Sequence, residues 1–70
     1  MIDLSLVIPL LNEAESLPEL HAWIKRICDD VGLSYEVIFI DDGSKDDSWK
    51  IIGQLKDANP EIRGIRFQRN

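Results

Sequence analysis

Seventy residues with 8 Lys+Arg against 13 Asp+Glu carry a formal net charge of −5. That length allows one small domain, since autonomous domains run from about 50 to 250 residues, and the acid excess speaks against a nucleic-acid binder, which needs a basic face for phosphates. One cysteine, Cys28, excludes an internal disulfide and an all-cysteine zinc site. Hydrophobic content of 44% with 30% charged residues is ordinary for a globular chain and unlike a disordered one. No apolar run nears the roughly 20 residues of a membrane span. The start Met1-Ile2-Asp3 lacks the basic region of a secretory signal. A soluble, cytoplasmic chain is therefore expected, with a marginal core, because a chain this short buries only about 60% of the surface its unfolded form exposes.

Residues 4–11, Leu-Ser-Leu-Val-Ile-Pro-Leu-Leu, form a short and almost wholly apolar run, the signature of a parallel-sheet strand covered on both faces. Pro9 cannot donate to a ladder, so the strand is expected to end there and pass into a loop with Asn12 and Glu13. Ser16-Leu17-Pro18-Glu19 has capping-box spacing, with Ser16 as N-cap, Glu19 at N3 and Pro18 tolerated in the first turn. Leu17, Leu20, Ile24, Ile27, Cys28 and Val31 then recur at three and four residues, and Gly32 suits a left-handed terminus. The first helix is read over residues 17–30.

Residues 35–40, Tyr-Glu-Val-Ile-Phe-Ile, are a second strand running into Asp41-Asp42-Gly43-Ser44, where Gly43 suits positive φ or close approach by a ligand. A second helix is expected from near Asp46, with Asp47 favourable at its N-terminal end. Trp49, Ile51, Ile52 and Leu55 make its inward face, and Asn59-Pro60 stops it. Residues 62–67 are a third, outer strand. The basic residues of the ending, Arg63, Arg66 and Arg69, read as a solvated edge discouraging aggregation in preference to an anion site.

The fold class is thus α/β: β-α-β-α-β with a three-stranded sheet, parallel because crossovers are right-handed, and of order 3-2-1. This is half of a doubly wound nucleotide-binding fold, whose ligands sit beyond the carboxyl ends of the strands. Those ends are the loops at residues 9–13 and 41–44. Adjacent carboxylates Asp41 and Asp42 leave a strand in opposite directions, which disfavours a shared acid/base role. They suit recognition of a base N–H or ribose hydroxyl, and equally well capping of the second helix. A calcium loop lacks its alternating oxygen donors. His21, the one histidine, reads as a surface or boundary residue, Cys28 as a buried small hydrophobe, and Trp23 and Trp49 as packing residues. The glycine fingerprint of dinucleotide folds, the phosphate loop and the nucleophile elbow are all missing.

Residues 6–13, Leu-Val-Ile-Pro-Leu-Leu-Asn-Glu, and 37–46, Val-Ile-Phe-Ile-Asp-Asp-Gly-Ser-Lys-Asp, together resemble the start of a family 2 glycosyltransferase. The resemblance covers the whole chain, since Asn59-Pro60-Glu61-Ile62-Arg63 and Phe67-Gln68-Arg69-Asn70 also match. That ending, with Leu17-Pro18-Glu19-Leu20, is similar to the branch that transfers hexoses to dolichyl or other polyprenyl phosphates. The resemblance implies a GT-A fold and a nucleotide-activated sugar donor, UDP- or GDP-linked. It implies that Pro9 and Glu13 line the nucleoside pocket, Glu13 near the ribose. Asp42 would accept from the nucleobase, and Asp41 and Gly43 would shape its loop. Leu11 stands where the family usually has tyrosine; leucine keeps an apolar surface without ring stacking, worth about 1–3 kcal/mol per base where it occurs.

In the family, the Asp-x-Asp motif that holds Mg²⁺ or Mn²⁺, the acceptor site and the catalytic base follow the fourth strand. Residues 1–70 are therefore expected to be a partial nucleotide-sugar-binding domain cut before that motif, with no catalytic or metal-binding residue of its own. The parent is expected to be membrane-associated if its acceptor is a polyprenyl phosphate, and the chain alone to lack turnover and bind nucleotide weakly if at all. Two rival readings remain open: a non-enzymatic α/β module that self-associates through exposed sheet edges, and a nucleotide-binding module without transfer chemistry.

Overall fold

A computed structural model of the chain describes residues 1–67. The elements in order are β1 (Leu4–Leu10), α1 (Leu17–Val31), β2 (Tyr35–Asp41), α2 (Ser48–Ala58) and β3 (Ile62–Arg66). Both strand pairs are parallel and the sheet order is β1-β2-β3, as the sequence predicts. Leu10 lies opposite Asp41 and Asp41 opposite Arg66, so all three strands end at one rim.

Each crossover steps one strand in the same direction. Two right-handed crossovers of that kind place both helices on the same face of the sheet. The core lies on that face: Val37 and Phe39 of β2 are fully buried beneath Leu17, Ile24 and Cys28 of α1 and Ile52 of α2, with Leu10 and Ile62 closing its flanks. The expectation that the first strand is covered on both faces is corrected here. Leu6, Ile8 and Leu10 turn toward the helices, while Val7 is 57% exposed on the opposite face. Register puts Ile38, Ile40 and Ile65 on that same opposite face, and Ile65 is 46% exposed.

The strand also continues past Pro9, which pairs in register with Ile40. The Leu4 N–H donates to Ser34 and the Leu10 carbonyl accepts from Asp42, so even-numbered residues of β1 bond toward β2. Pro9, one residue out of phase, turns its nitrogen to the free edge, where no donor is needed.

The predicted capping box does not form. Ser16 has helical backbone (φ −91°, ψ −15°) and no side-chain cap bond. An N-cap needs non-helical backbone to fold its hydroxyl over the first turn; here the Ser16 hydroxyl instead donates to the Glu13 carbonyl and carboxylate. The C-terminus follows expectation. Gly32 is left-handed (φ 74°), its N–H donating to Asp29 O and the Leu33 N–H to Cys28 O, the bond pair of a Schellman motif.

Helix α1 meets the core along Leu17, His21, Ile24 and Cys28. His21 is therefore corrected from a surface or boundary residue to a buried one, four residues after Leu17 on the inner stripe. Its Nε2 lies 3.2 Å from Glu61 Oε2, which also accepts the Tyr35 hydroxyl at 3.2 Å. Trp23, at 56% exposure, is corrected the other way: it lies off that stripe with Ile27 and Val31, both exposed. Trp49 packs over β3, where Gly64 makes room; a Cβ there would meet Ile52 Cγ2 at 2.8 Å and the Trp49 ring at 3.2 Å. Arg66 lies across that ring, 5.7 Å from its centroid. Arg69 and the rest of the ending after Phe67 lie outside the described residues.

Candidate functional site at the carboxyl rim

Parallel pairing brings the two predicted loops to the same rim, and side chains then bind them together. Three consecutive N–H groups of the first loop reach the second: Asn12 donates to Ser44 Oγ (2.8 Å), Glu13 to Ser48 Oγ (2.9 Å) and Ala14 to Asp46 Oδ2 (3.2 Å). In return Asn12 Oδ1 accepts the N–H of Lys45 at 2.8 Å and, at 3.4 Å, that of Asp46. The Asp42 N–H completes the seam on the Leu10 carbonyl.

Local backbone explains the shapes. Gly43 takes φ 88°, as its position in the sequence suggests, and Asn12 takes φ 54°, a left-handed conformation that asparagine tolerates better than most side chains. Helix α2 begins at Ser48, two residues later than expected. Asp46, outside the helix, caps it by accepting the Ser48 N–H at 2.9 Å and the Ser48 hydroxyl at 2.6 Å. The bond from the Ser48 hydroxyl, chief among several, lowers the Asp46 carboxyl below the usual carboxylate value.

The adjacent acids differ in burial. Asp41 is fully buried, and its Oδ1 accepts the Ser44 N–H at 2.7 Å; the carboxylate braces the turn and does not cap α2. Its Oδ2 has no hydrogen-bond partner among the described residues. Asp42, one residue past the end of β2, is half-buried. Of the remaining predicted site residues, Pro9 is exposed on the sheet face away from the helices. Leu11 is 48% exposed, and Glu13 is exposed, with its carboxylate on the Ser16 hydroxyl. All six therefore belong to one rim: four offer partly exposed side chains, Gly43 shapes its turn, and Asp41 works from underneath.

Beside the seam lies a groove of about 340 Å³ lined by Asn12, Glu13, Ala14, Glu15, Ser16 and Asp46. A larger groove, about 680 Å³, begins at the same Ser16 and runs along the outside of α1 past Trp23 and Arg26. Among the described residues no group of three His, Cys, Asp or Glu side chains is placed to hold a metal ion.

Sequence reasoning missed the seam. Ser44 and Ser48, both buried, and Asp46 were legible only as loop and helix-start residues. The available signal was their crowding of short side-chain oxygens just after Gly43, where such groups seek backbone N–H partners.

The sequence model of glycosyl transferase family 2 matches residues 5–70, all but the first four positions.

Proposed function

The chain belongs to glycosyl transferase family 2, and from that premise we propose that it supplies the nucleoside half of a sugar donor site, in a parent enzyme that transfers a sugar from a nucleoside diphosphate to an acceptor. The fold, three parallel strands with two helices, is consistent with the N-terminal half of a GT-A domain. The observation that carries the reading is the hydrogen-bonded union of the two post-strand loops at one carboxyl rim, where open parallel sheets take their ligands.

In this reading the half-buried Asp42 accepts from the nucleobase, Glu13 from the ribose, and Pro9 and Leu11 give the apolar wall. Gly43 and Asp41 hold the turn. UDP and GDP are the candidate leaving groups, and a polyprenyl phosphate is the candidate acceptor. Among the described residues no group of three His, Cys, Asp or Glu side chains is placed to hold the Mg²⁺ or Mn²⁺ that the family implies. No described helix is long and apolar enough to cross a membrane.

Titration of the ¹⁵N-labelled chain with UDP and GDP tests the reading, since NMR detects millimolar binding. Shift changes gathered at residues 9–13 and 41–44, lost in Asp42→Ala, are the expected result; a spectrum unmoved at those residues overturns it. No sugar transfer is expected from the chain alone, and turnover of a UDP- or GDP-sugar by it would refute that part.

A second reading, self-association, is favoured by one observation: apolar side chains lie open on the uncovered sheet face (Val7, Ile65) and on the outer side of α1 (Trp23, Ile27, Val31). Light scattering distinguishes it. A mass that stays monomeric as concentration rises excludes it.

A further inference from the structure

We propose that Asn12 is a positioning residue that makes one site of two loops, so that Glu13 and Asp42 read a nucleoside only as a locked pair. This rests on the nucleoside reading above and adds to it a residue outside the predicted contact set.

Asn12 reaches the second loop from both ends of the residue. Its N–H donates to Ser44 Oγ at 2.8 Å, while its Oδ1 accepts the Lys45 N–H at 2.8 Å and lies 3.4 Å from that of Asp46. Ser44 passes the connection inward by donating its own N–H to the buried Asp41 carboxylate at 2.7 Å. A chain of bonds thus runs from the residue before Glu13 to the residue before Asp42. Few side chains can occupy the position. The left-handed backbone, φ 54°, disfavours most of them, and the Oδ1 contacts require an acceptor on a short stem. Strained backbone of this kind persists where its surroundings fix it, and it concentrates at functional sites.

Neither end of Asn12 needs to touch a ligand for this to matter. A ligand bridging two loose loops must order them as it binds, and that ordering is subtracted from its affinity; loops already joined escape the loss.

The test measures UDP and GDP binding by ¹⁵N NMR for the seventy-residue chain, Asn12→Gly, Ser44→Ala and the double variant. Glycine keeps the left-handed backbone and removes only the side-chain acceptor, so backbone strain is not introduced. Each single variant is expected to bind about fivefold more weakly, the scale of one lost neutral hydrogen bond. The double variant is expected to bind more weakly than either single variant, because the two substitutions remove separate ties between the same loops. In the unsubstituted chain nucleotide is expected to shift residues 9–13 and 41–44 together; in Asn12→Gly the saturating shifts at residues 9–13 are expected to shrink relative to those at 41–44. Urea unfolding of each variant is measured alongside, and the affinity loss must persist among molecules that remain folded. Undiminished affinity in Asn12→Gly, or a double variant that binds no more weakly than Ser44→Ala alone, overturns the proposal while leaving the nucleoside reading intact. Absence of binding by the parent chain overturns both.

Discussion

Ser48 Oγ accepts the backbone N–H of Glu13 at 2.9 Å across thirty-five residues of chain. The same hydroxyl donates to Asp46 at 2.6 Å, so one fully buried serine at the start of α2 holds both its own helix cap and the loop after β1. Ser48→Ala leaves the Glu13 N–H and one Asp46 lone pair without their partner. An orphaned, partly buried donor costs about 1–3 kcal/mol. Urea unfolding is expected to show a fall of that size with an unchanged slope, and a midpoint within error of the parent would mean that water replaces the hydroxyl without penalty.

Gly64 faces Ile52 and Trp49 across the interface between β3 and α2. A methyl at this position would stand 2.8 Å from Ile52 Cγ2, inside contact distance, and α2 must lift to admit it. Gly64→Ala is expected to cost about 1–3 kcal/mol, the usual range for overpacking, and to shift the fluorescence of Trp49. Unchanged stability would show that Ile52 rotates away freely.

The polar contacts among His21, Tyr35 and Glu61 give stability a dependence on pH at both ends. Burial works to raise the Glu61 carboxyl, but its own backbone N–H, His21 and Tyr35 outweigh that and hold it below the usual glutamate value of 4.5. Its contribution is present above pH 4.5 and is lost as pH falls through the lowered folded value. Tyr35 is pushed up to about 12 from 10.0, by burial first and then by the Glu61 charge, with smaller effects from Asp29 and Cys28. Its contribution is complete below pH 10 and disappears between there and about 12. Glu61→Gln is expected to flatten the acid limb of the unfolding profile and Tyr35→Phe the alkaline limb; a limb that survives its substitution belongs to another group.

The two tryptophans make a paired comparison. Trp23 is 56% exposed, whereas Trp49 is half-buried against β3 with Arg66 across its ring. Trp23→Ala is expected to change stability by no more than about 0.5 kcal/mol, as for an ordinary surface site. Trp49→Ala is expected to cost about 2 kcal/mol or more, part of a core-size truncation. Equal costs in thermal unfolding would contradict the packing described.

The amino-acid order alone determined the succession of strands and helices, the parallel sheet and its order. Apolar runs fix strands, three-and-four spacing fixes helices, right-handed crossovers make the strands parallel, and 3-2-1 is the order of half a doubly wound nucleotide-binding fold. Gly32 and Gly43 announced their positive φ because few other residues adopt it easily. What needed the folded chain were relations between residues far apart in sequence. That His21 points inward and Trp23 outward, and that Pro9 sits harmlessly on an edge, depend on which neighbours arrive beside them. The same holds at the rim. Asp41 and Asp42 could each be read from sequence as a brace or a binder, and burial at position 41 decided which braces. Asn12, Ser44, Asp46 and Ser48 carry short polar side chains whose partners lie more than thirty residues away. Local pattern can specify that such groups need hydrogen bonds, but only chain packing decides where those bonds go.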